Sequence, residues 1–146
     1  MKVFVSGAAG FFGKHLIERL VELGHRPTAL IHHETTTDRD LEALRGQSVQ
    51  LVYGNVLDSM NELMELMRGH DRVVHAAAIY DLSASPKLVR DVNVQGSLRI
   101  MEAARQLGIR AVQISSATAC GVQPPGFKED YVHTDSLCFY GLTKRK

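Results

Sequence analysis

Three observations predict a doubly wound α/β domain. Short apolar, β-branched runs alternate with amphipathic helical stretches along the chain, the first such pair is joined by a turn carrying Gly7, Gly10 and Gly13, and no linker, repeat or low-complexity tract interrupts the alternation. Strands separated by helical crossovers pair in parallel and with right-handed connections, so the expected sheet order is 3-2-1-4-5, covered on both faces. Ligands of such sheets sit beyond the carboxyl ends of the strands, where the winding reverses between strands 1 and 4. At 146 residues the chain is long enough for one domain with a real core, and it is read as a single unit, 1–146.

Each element has its own signal. KVFVS (2–6) is a strand ending at Gly7, and KHLIERLVELG (14–24) sets Leu16, Ile17, Leu20, Val21 and Leu23 at helical spacing before Gly24. PTALIHH (27–33) reads as strand 2, DRDLEALRG (38–46) as a short helix and VQLVYG (49–54) as strand 3. DSMNELMELMRG (58–69) opens with a capping box, Ser59 and Glu62, and its Leu63, Met64, Leu66 and Met67 form an apolar stripe that reads as core. DRVVHAAA (71–78) is strand 4, 85–108 a long helix with Pro86 near its start and Gly108 at its end, and IRAVQISS (109–116) strand 5. The stretch 121–138, with Pro124, Pro125 and Gly126, reads as a long functional loop.

Charge and cysteine usage narrow the function classes. Formal net charge is +1 with acids and bases interspersed, which argues against nucleic-acid or membrane surfaces and for a small-molecule partner. Cys120 and Cys138 are the only cysteines and form no CxxC, as expected where thiols stay reduced; with no apolar run near the ~18 residues of a membrane span, the expectation is a cytoplasmic protein. No ligand-spaced His/Cys set suggests a metal.

The glycine turn carries the clearest chemistry. Gly7 allows a sharp turn off the strand, Gly10 lets backbone approach a pyrophosphate, and Gly13 lets the helix pack on the sheet, while the helix start at Phe11 and Phe12 offers unpaired N–H groups to an anion. Taken alone, three glycines could also serve only a tight βα connection, which the strand before and the amphipathic helix after disfavour. At the end of strand 2, where an acid would bond a ribose 2'-OH and a base would accept a 2'-phosphate, stand His32, His33 and Glu34. The histidines favour NADP and Glu34 keeps NAD open; exposure at a strand end is the simpler alternative.

The motifs GAAGFFG (7–13), YGNVLD (53–58), HAAA (75–78), NVQG (93–96), ISSATACG (114–121) and YGLTK (140–144), in this order, resemble the extended short-chain dehydrogenase/reductase superfamily, the NAD-dependent epimerase/dehydratase group. The similarity runs from residue 2 to the last residue, and HAAAIYDLSASP with SSATACGVQPPG resembles most the dihydroflavonol-reductase-like branch. The resemblance implies roles. Asn55 stands where the family usually has an aspartate bonding the adenine amino group, and it keeps an acceptor oxygen; the Val56 N–H meets the same ring. Ala76, Ala77 and Ala78 run beside the cofactor's phosphates and ribose. Asn93 breaks the ladder of the long helix and holds a water in a proton path to Lys144. Ser116 hydrogen-bonds the substrate oxygen, and strand alternation would send its neighbour Ser115 elsewhere. Tyr140 is the general acid/base, with Lys144 one turn away lowering its pKa and bonding the nicotinamide ribose. His75 is read as core.

The function implied is an NAD(P)-dependent oxidoreductase domain moving hydride to or from a carbonyl or alcohol carbon, of carbonyl reductase or sugar-nucleotide epimerase type. A dehydratase is disfavoured because Ala117 and Thr118, where related dehydratases place Asp-Glu, cannot ionise. The alternative is a dinucleotide-binding module or inactive fragment without turnover, and whether this chain is itself an enzyme stays open. Family members continue past Tyr-x-x-x-Lys into a substrate domain, and the chain ends two residues after Lys144. The resulting expectation is a truncated member in which Lys144 frays into solvent, Tyr140 keeps a pKa nearer 10 than 7, and any homodimer belongs to the longer parent.

Overall fold

In a computed structural model, which describes residues 1–81, 83–121, 126, 128 and 138–144, five strands form one parallel sheet in the order β3-β2-β1-β4-β5. The strands are β1 (Lys2–Ser6), β2 (Arg26–Ile31), β3 (Gln50–Tyr53), β4 (Arg72–His75) and β5 (Arg110–Gln113). Around them run α1 (Phe11–Glu22), α2 (Asp38–Arg45), α3 (Met60–Met67), α4 (Pro86–Arg90), α5 (Ser97–Gln106) and α6 (Phe139–Lys144). Most of the anticipated long loop 121–138 lies outside the described residues.

The pleat of β1 separates two cores. Phe4 points to one face, where Leu30, Val73, Leu63, Met67 and Ile100 pack, and Val3 and Val5 point to the other, with Ala29, Ile31, Ile17 and Leu44. Burying a side chain of this kind stabilises the fold by roughly 1.5–3 kcal/mol, so β1, buried on both faces, anchors the sheet. Register places Val5 beside Ala29 of β2 and Val74 of β4, which brings Ser6 next to His75 at the switch point.

Helix starts follow their caps. Ser59 and Glu62 form the expected capping box, Thr37 and Asp40 form another, and Ser85 with Pro86 opens α4. The long helix of 85–108 is not continuous: α4 gives way to a π-helical segment, Asp91–Gly96, before α5 resumes. Asn93 occupies that segment, and single π turns inside helices are frequent at functional positions. Strand ends also differ from the sequence reading. β2 stops at Ile31, so His32 and His33 stand past the sheet; β4 stops at His75, leaving Ala76–Ala78 as irregular backbone over the switch point.

Candidate functional site

Beyond the carboxyl ends of β1, β2, β3 and β4 opens a cleft of about 530 Å³, lined among others by Gly7, Gly10, His32, Glu34, Asn55, Val56, Ala76, Ala77, Ala78 and Ile79. A larger cavity of about 770 Å³ opens at the opposite end of the sheet, among Lys2, Arg26, Gln47 and His70. It holds none of the glycine turn and lies where strands of doubly wound sheets begin, so the smaller cleft is the candidate site.

The three glycines divide the labour as their spacing suggests. Gly7 sits at φ 73°, a left-handed conformation, and a Cβ there would lie 2.5 Å from the Ala77 nitrogen. A Cβ on Gly13 would lie 2.1 Å from the Gly7 carbonyl oxygen, so that glycine is required by helix-to-turn packing. Gly10 is the N-cap of α1, and a Cβ there would press on the Gly7 oxygen alone, at 3.3 Å, which must give by only a few tenths of an ångström. No side chain caps this helix and no acid stands in its first turn, so its N-terminal N–H groups face the cleft with the positive end of the helix dipole. This is a fit for a diphosphate. Phe11 and Phe12 contribute backbone only, since their side chains are 83% and 47% exposed.

Asn55 and His32 meet across the ends of β3 and β2, Nδ2 to Nε2 at 2.7 Å, and Asn55 Oδ1 accepts from the Leu57 N–H at 2.9 Å. The acceptor oxygen expected to be spare is therefore already engaged once, leaving one lone pair. His33 is exposed and stacks on Tyr53, with centroids 4.4 Å apart.

Asn93 is fully buried, not exposed on a helix face. Its Oδ1 accepts from the Ile79 N–H at 2.8 Å, and its Nδ2 donates to the Ile79 oxygen at 3.0 Å and to Thr143 Oγ1 at 3.1 Å. One side chain thus ties the cleft wall after β4 to α6. Behind it, Ser97 Oγ donates to the Asn93 carbonyl at 2.7 Å, so it must accept from His75 Nε2 at 2.8 Å; His75 Nδ1 then accepts from Ser6 Oγ at 2.6 Å. His75 is a core residue, as read from the sequence. Its pKa is lowered to about 4, by burial first and by the Lys144 ammonium second.

Lys144 corrects an expectation. It does not fray: it is 6% exposed, its Nζ donates to the Ile114 carbonyl at 3.1 Å, and it lies 5.9 Å from the Tyr140 ring centroid. The packing that was expected from downstream chain is supplied within these residues, because Gly141 and Thr143 of α6 are buried and Thr143 is bonded to Asn93. Burial lowers the Lys144 pKa. The Tyr140 pKa is raised above 10, by burial first, then by Tyr80, whose ring meets it edge-on at 4.7 Å, and by Cys138. Tyr140 is thus not drawn down toward 7, in line with the expectation of a pKa nearer 10 than 7, although Lys144 is held.

Ser116 caps the short 3₁₀ turn Ala117–Cys120, and its Oγ lies 2.8 Å from Thr118 Oγ1. Ser115, expected to point away, reaches α6 instead and donates to the Lys144 carbonyl at 3.4 Å, because β5 ends at Gln113 and strand alternation no longer applies. Sequence reasoning gave no positioning role to Ile79, Ser97, Thr143 or Ile114; Ile79, Ile114 and Thr143 stand inside the family motifs and Ser97 just outside one, and each acts through hydrogen bonds to a residue distant in sequence. Among the described residues no three His, Cys, Asp or Glu side chains stand close enough to hold a metal, and no helix is long and apolar enough to cross a membrane.

The chain is similar to known proteins over this same architecture. UDP-glucose 4-epimerase of Klebsiella pneumoniae is 31% identical over 133 residues, 85% of this chain and 95% of that protein. A Synechocystis protein named for dihydroflavonol 4-reductase is 33% identical over 130 residues, 87% of this chain and 36% of its own length. The solved UDP-glucose-4-epimerase of Stenotrophomonas maltophila, with bound NAD and formylated UDP-arabinopyranose, superimposes with a TM-score of 0.86 at 28% identity, covering 99% of this chain and 46% of that one. The chain spans less than half the length of the first curated relatives it matches. The family model for the NAD dependent epimerase/dehydratase family matches residues 3–146. That match takes in the glycine turn, the residues of the switch-point cleft and the Tyr140–Lys144 turn, and the chain belongs to the NAD-dependent epimerase/dehydratase family.

Proposed function

We propose that this chain is the dinucleotide-binding domain of an NAD(P)-dependent oxidoreductase, of carbonyl reductase or sugar-nucleotide epimerase type. The observation that carries the reading is the meeting of two features at one end of the sheet. An uncapped helix N-terminus lies behind Gly10, and the Ala76–Tyr80 backbone leads from it to the Tyr140–Lys144 turn. A diphosphate would lie against the first N–H groups of α1, the adenine against Asn55 and the Val56 N–H, and Ala76–Ala78 would leave room for the riboses. When bound, the nicotinamide ring supplies the hydride donor or acceptor.

The chain's own groups handle the proton. With a pKa above the usual value, Tyr140 is protonated at neutral pH and suited to donate to the oxygen of a carbonyl undergoing reduction. Alcohol oxidation needs the phenolate, about a thousandth of an unperturbed tyrosine at pH 7, so it would depend on Lys144 drawing nearer than the ring contact it makes now. Ser116 would bond the substrate oxygen, and Asn93 would hold Ile79 and Thr143 in place around the proton donor.

The NAD-bound epimerase neighbours support a nicotinamide dinucleotide and a UDP-sugar-type substrate, and the reductase relative supports a carbonyl compound. NADP in place of NAD would require positive charge at His32 or His33. A cytoplasmic setting, a small-molecule partner and a homodimer of the longer parent belong to the same reading. A second reading, a dinucleotide-binding module without turnover, is favoured by Tyr140, Lys144 and Ser116 standing outside the lining of the cleft.

Calorimetry with NAD and NADP, followed by turnover assays on carbonyl compounds and UDP-sugars, tests both. Binding of either nucleotide with turnover that Tyr140→Phe removes supports the enzyme, and binding without turnover supports the module. Absence of binding by both nucleotides would refute the proposal.

A further inference from the structure

At the end of the cleft away from Tyr140, β2 and β3 are joined beyond their last residues by the Asn55–His32 hydrogen bond, and its direction is set by the backbone. The Leu57 N–H can only donate, and it lies 2.9 Å from the Asn55 side-chain oxygen, so the amide NH₂ must be the group facing His32 Nε2 at 2.7 Å. Nε2 therefore accepts. The single ring proton then sits on Nδ1, 3.1 Å from Thr35 Oγ1, which takes it. A proton on Nε2 would set two donors face to face with Asn55, so in this arrangement Nε2 presents a lone pair and no donor.

Among the described residues, none that lines the cleft adds a cation. The lining of the cleft includes no lysine or arginine, and its charged members are Glu34, from the loop that carries His32, and Asp40 of α2. Asp40 engages Lys14 of α1 at 2.8 Å. Asp58, after β3, accepts from the Asn55 backbone N–H at 2.7 Å. His33 is exposed and turned onto Tyr53.

We propose that Asn55 is the specificity-determining residue at the adenosine end: by holding His32 Nε2 as a hydrogen-bond acceptor it leaves no donor there for a 2'-phosphate and turns the site toward NAD. This reverses the NADP preference expected from the two histidines alone, and it rests on the dinucleotide reading above.

The test compares NAD and NADP dissociation constants at pH 7.5 and 6.0 for the wild type, His32→Gln, Asn55→Ser and the double variant. Contacts of Asn55 to adenine are common to both nucleotides and cancel in the ratio, and ionisation of the 2'-phosphate is common to all four proteins. The wild type should bind NAD more tightly at pH 7.5. His32→Gln removes any charge the ring could carry, so the ratio at pH 7.5 should stay within about twofold of the wild type, whatever happens to both affinities together. Asn55→Ser keeps a hydroxyl for the Leu57 N–H but removes the obligatory donor, so at pH 6.0 NADP should gain about fivefold relative to NAD over the wild type, as one partly exposed charge pair allows. The double variant should lose that gain. Nitrogen-15 NMR of the wild type should find His32 protonated on Nδ1 and bare on Nε2, a readout independent of how any variant folds. Tighter NADP binding by the wild type that His32→Gln abolishes, an unchanged ratio in Asn55→Ser, or a proton on Nε2 would each overturn the Asn55 assignment while leaving dinucleotide binding intact. Failure of both nucleotides to bind would end both readings.

Discussion

Substituting alanine at Gly13 and at Gly10 separates the packing role of the glycine turn from its binding role, because the same added methyl group meets different surroundings at the two positions. At Gly13 the new Cβ would sit 2.1 Å from the Gly7 oxygen, 2.6 Å from Ala8 Cα and 2.7 Å from the Ala8 carbonyl carbon. All three are backbone atoms of the turn itself and no side chain can swing aside, so reaching ordinary contact at about 3.4 Å requires α1 and the turn to part by about 1.3 Å. Overpacking of this kind costs typically 1–3 kcal/mol and sometimes more, and the rigid neighbours put this case at about 3 kcal/mol, or about 6–12 °C in Tm for a domain of this size. At Gly10 the backbone is extended (φ −71°, ψ 171°), a conformation alanine adopts freely, and its Cβ would meet the Gly7 oxygen at 3.3 Å, a contact relieved by a shift of a few tenths of an ångström. Replacing a glycine N-cap by alanine should cost less than about 1 kcal/mol. The Gly10 methyl would nevertheless project over the helix N-terminus, where the diphosphate is proposed to lie, and should weaken dinucleotide binding at least about tenfold, or 1.4 kcal/mol. Urea unfolding followed by far-ultraviolet circular dichroism measures the first quantity and calorimetry the second. Equal loss of stability in the two variants, or Gly10→Ala with unchanged cofactor affinity, would refute the division of roles.

Two further outcomes follow from the buried polar groups. His75 has a folded-state pKa of about 4 against the usual 6.5, so below pH 6.5 the unfolded chain binds the proton that the folded chain refuses. The stability carried by the neutral ring is complete above pH 6.5 and is lost as pH falls toward 4, by at most about 3 kcal/mol. His75→Gln should flatten that part of a urea-derived stability profile, and an unchanged slope would show that other groups are responsible. Asn93→Leu leaves the Ile79 N–H and carbonyl and Thr143 Oγ1 without their partner, and should cost about 4 kcal/mol by chemical denaturation. A loss below about 1 kcal/mol would mean that water replaces the amide.

The fold and the glycine turn were legible in the sequence because both rest on local rules. Strand and helix follow from hydrophobic periods of two and of about 3.6 residues, parallel pairing follows from the alternation of the two, and the turn at Gly7 follows from a conformation that glycine adopts without strain. The capping box at Ser59 and Glu62 is of the same kind, two residues three apart that satisfy each other's backbone. The family motifs placed Tyr140, Lys144 and Asn93 among the candidates. The sequence could not say how they are held, since that depends on partners far along the chain. Asn93 meets Thr143 across 50 residues, His32 meets Asn55 across 23, and Lys144 reaches Ile114 across 30. Helix length alone suggested a loose Lys144, since an isolated segment as short as α6 has too few turns to be stable. Tertiary structure reversed this, because burial of α6 against the π segment and the 3₁₀ turn stabilises what local propensity cannot. The hydrogen-bonding role of His32 was decided in the same way. A histidine at a strand end can donate or accept through either ring nitrogen until a neighbouring amide, itself oriented by a backbone N–H, leaves that nitrogen nothing to do but accept.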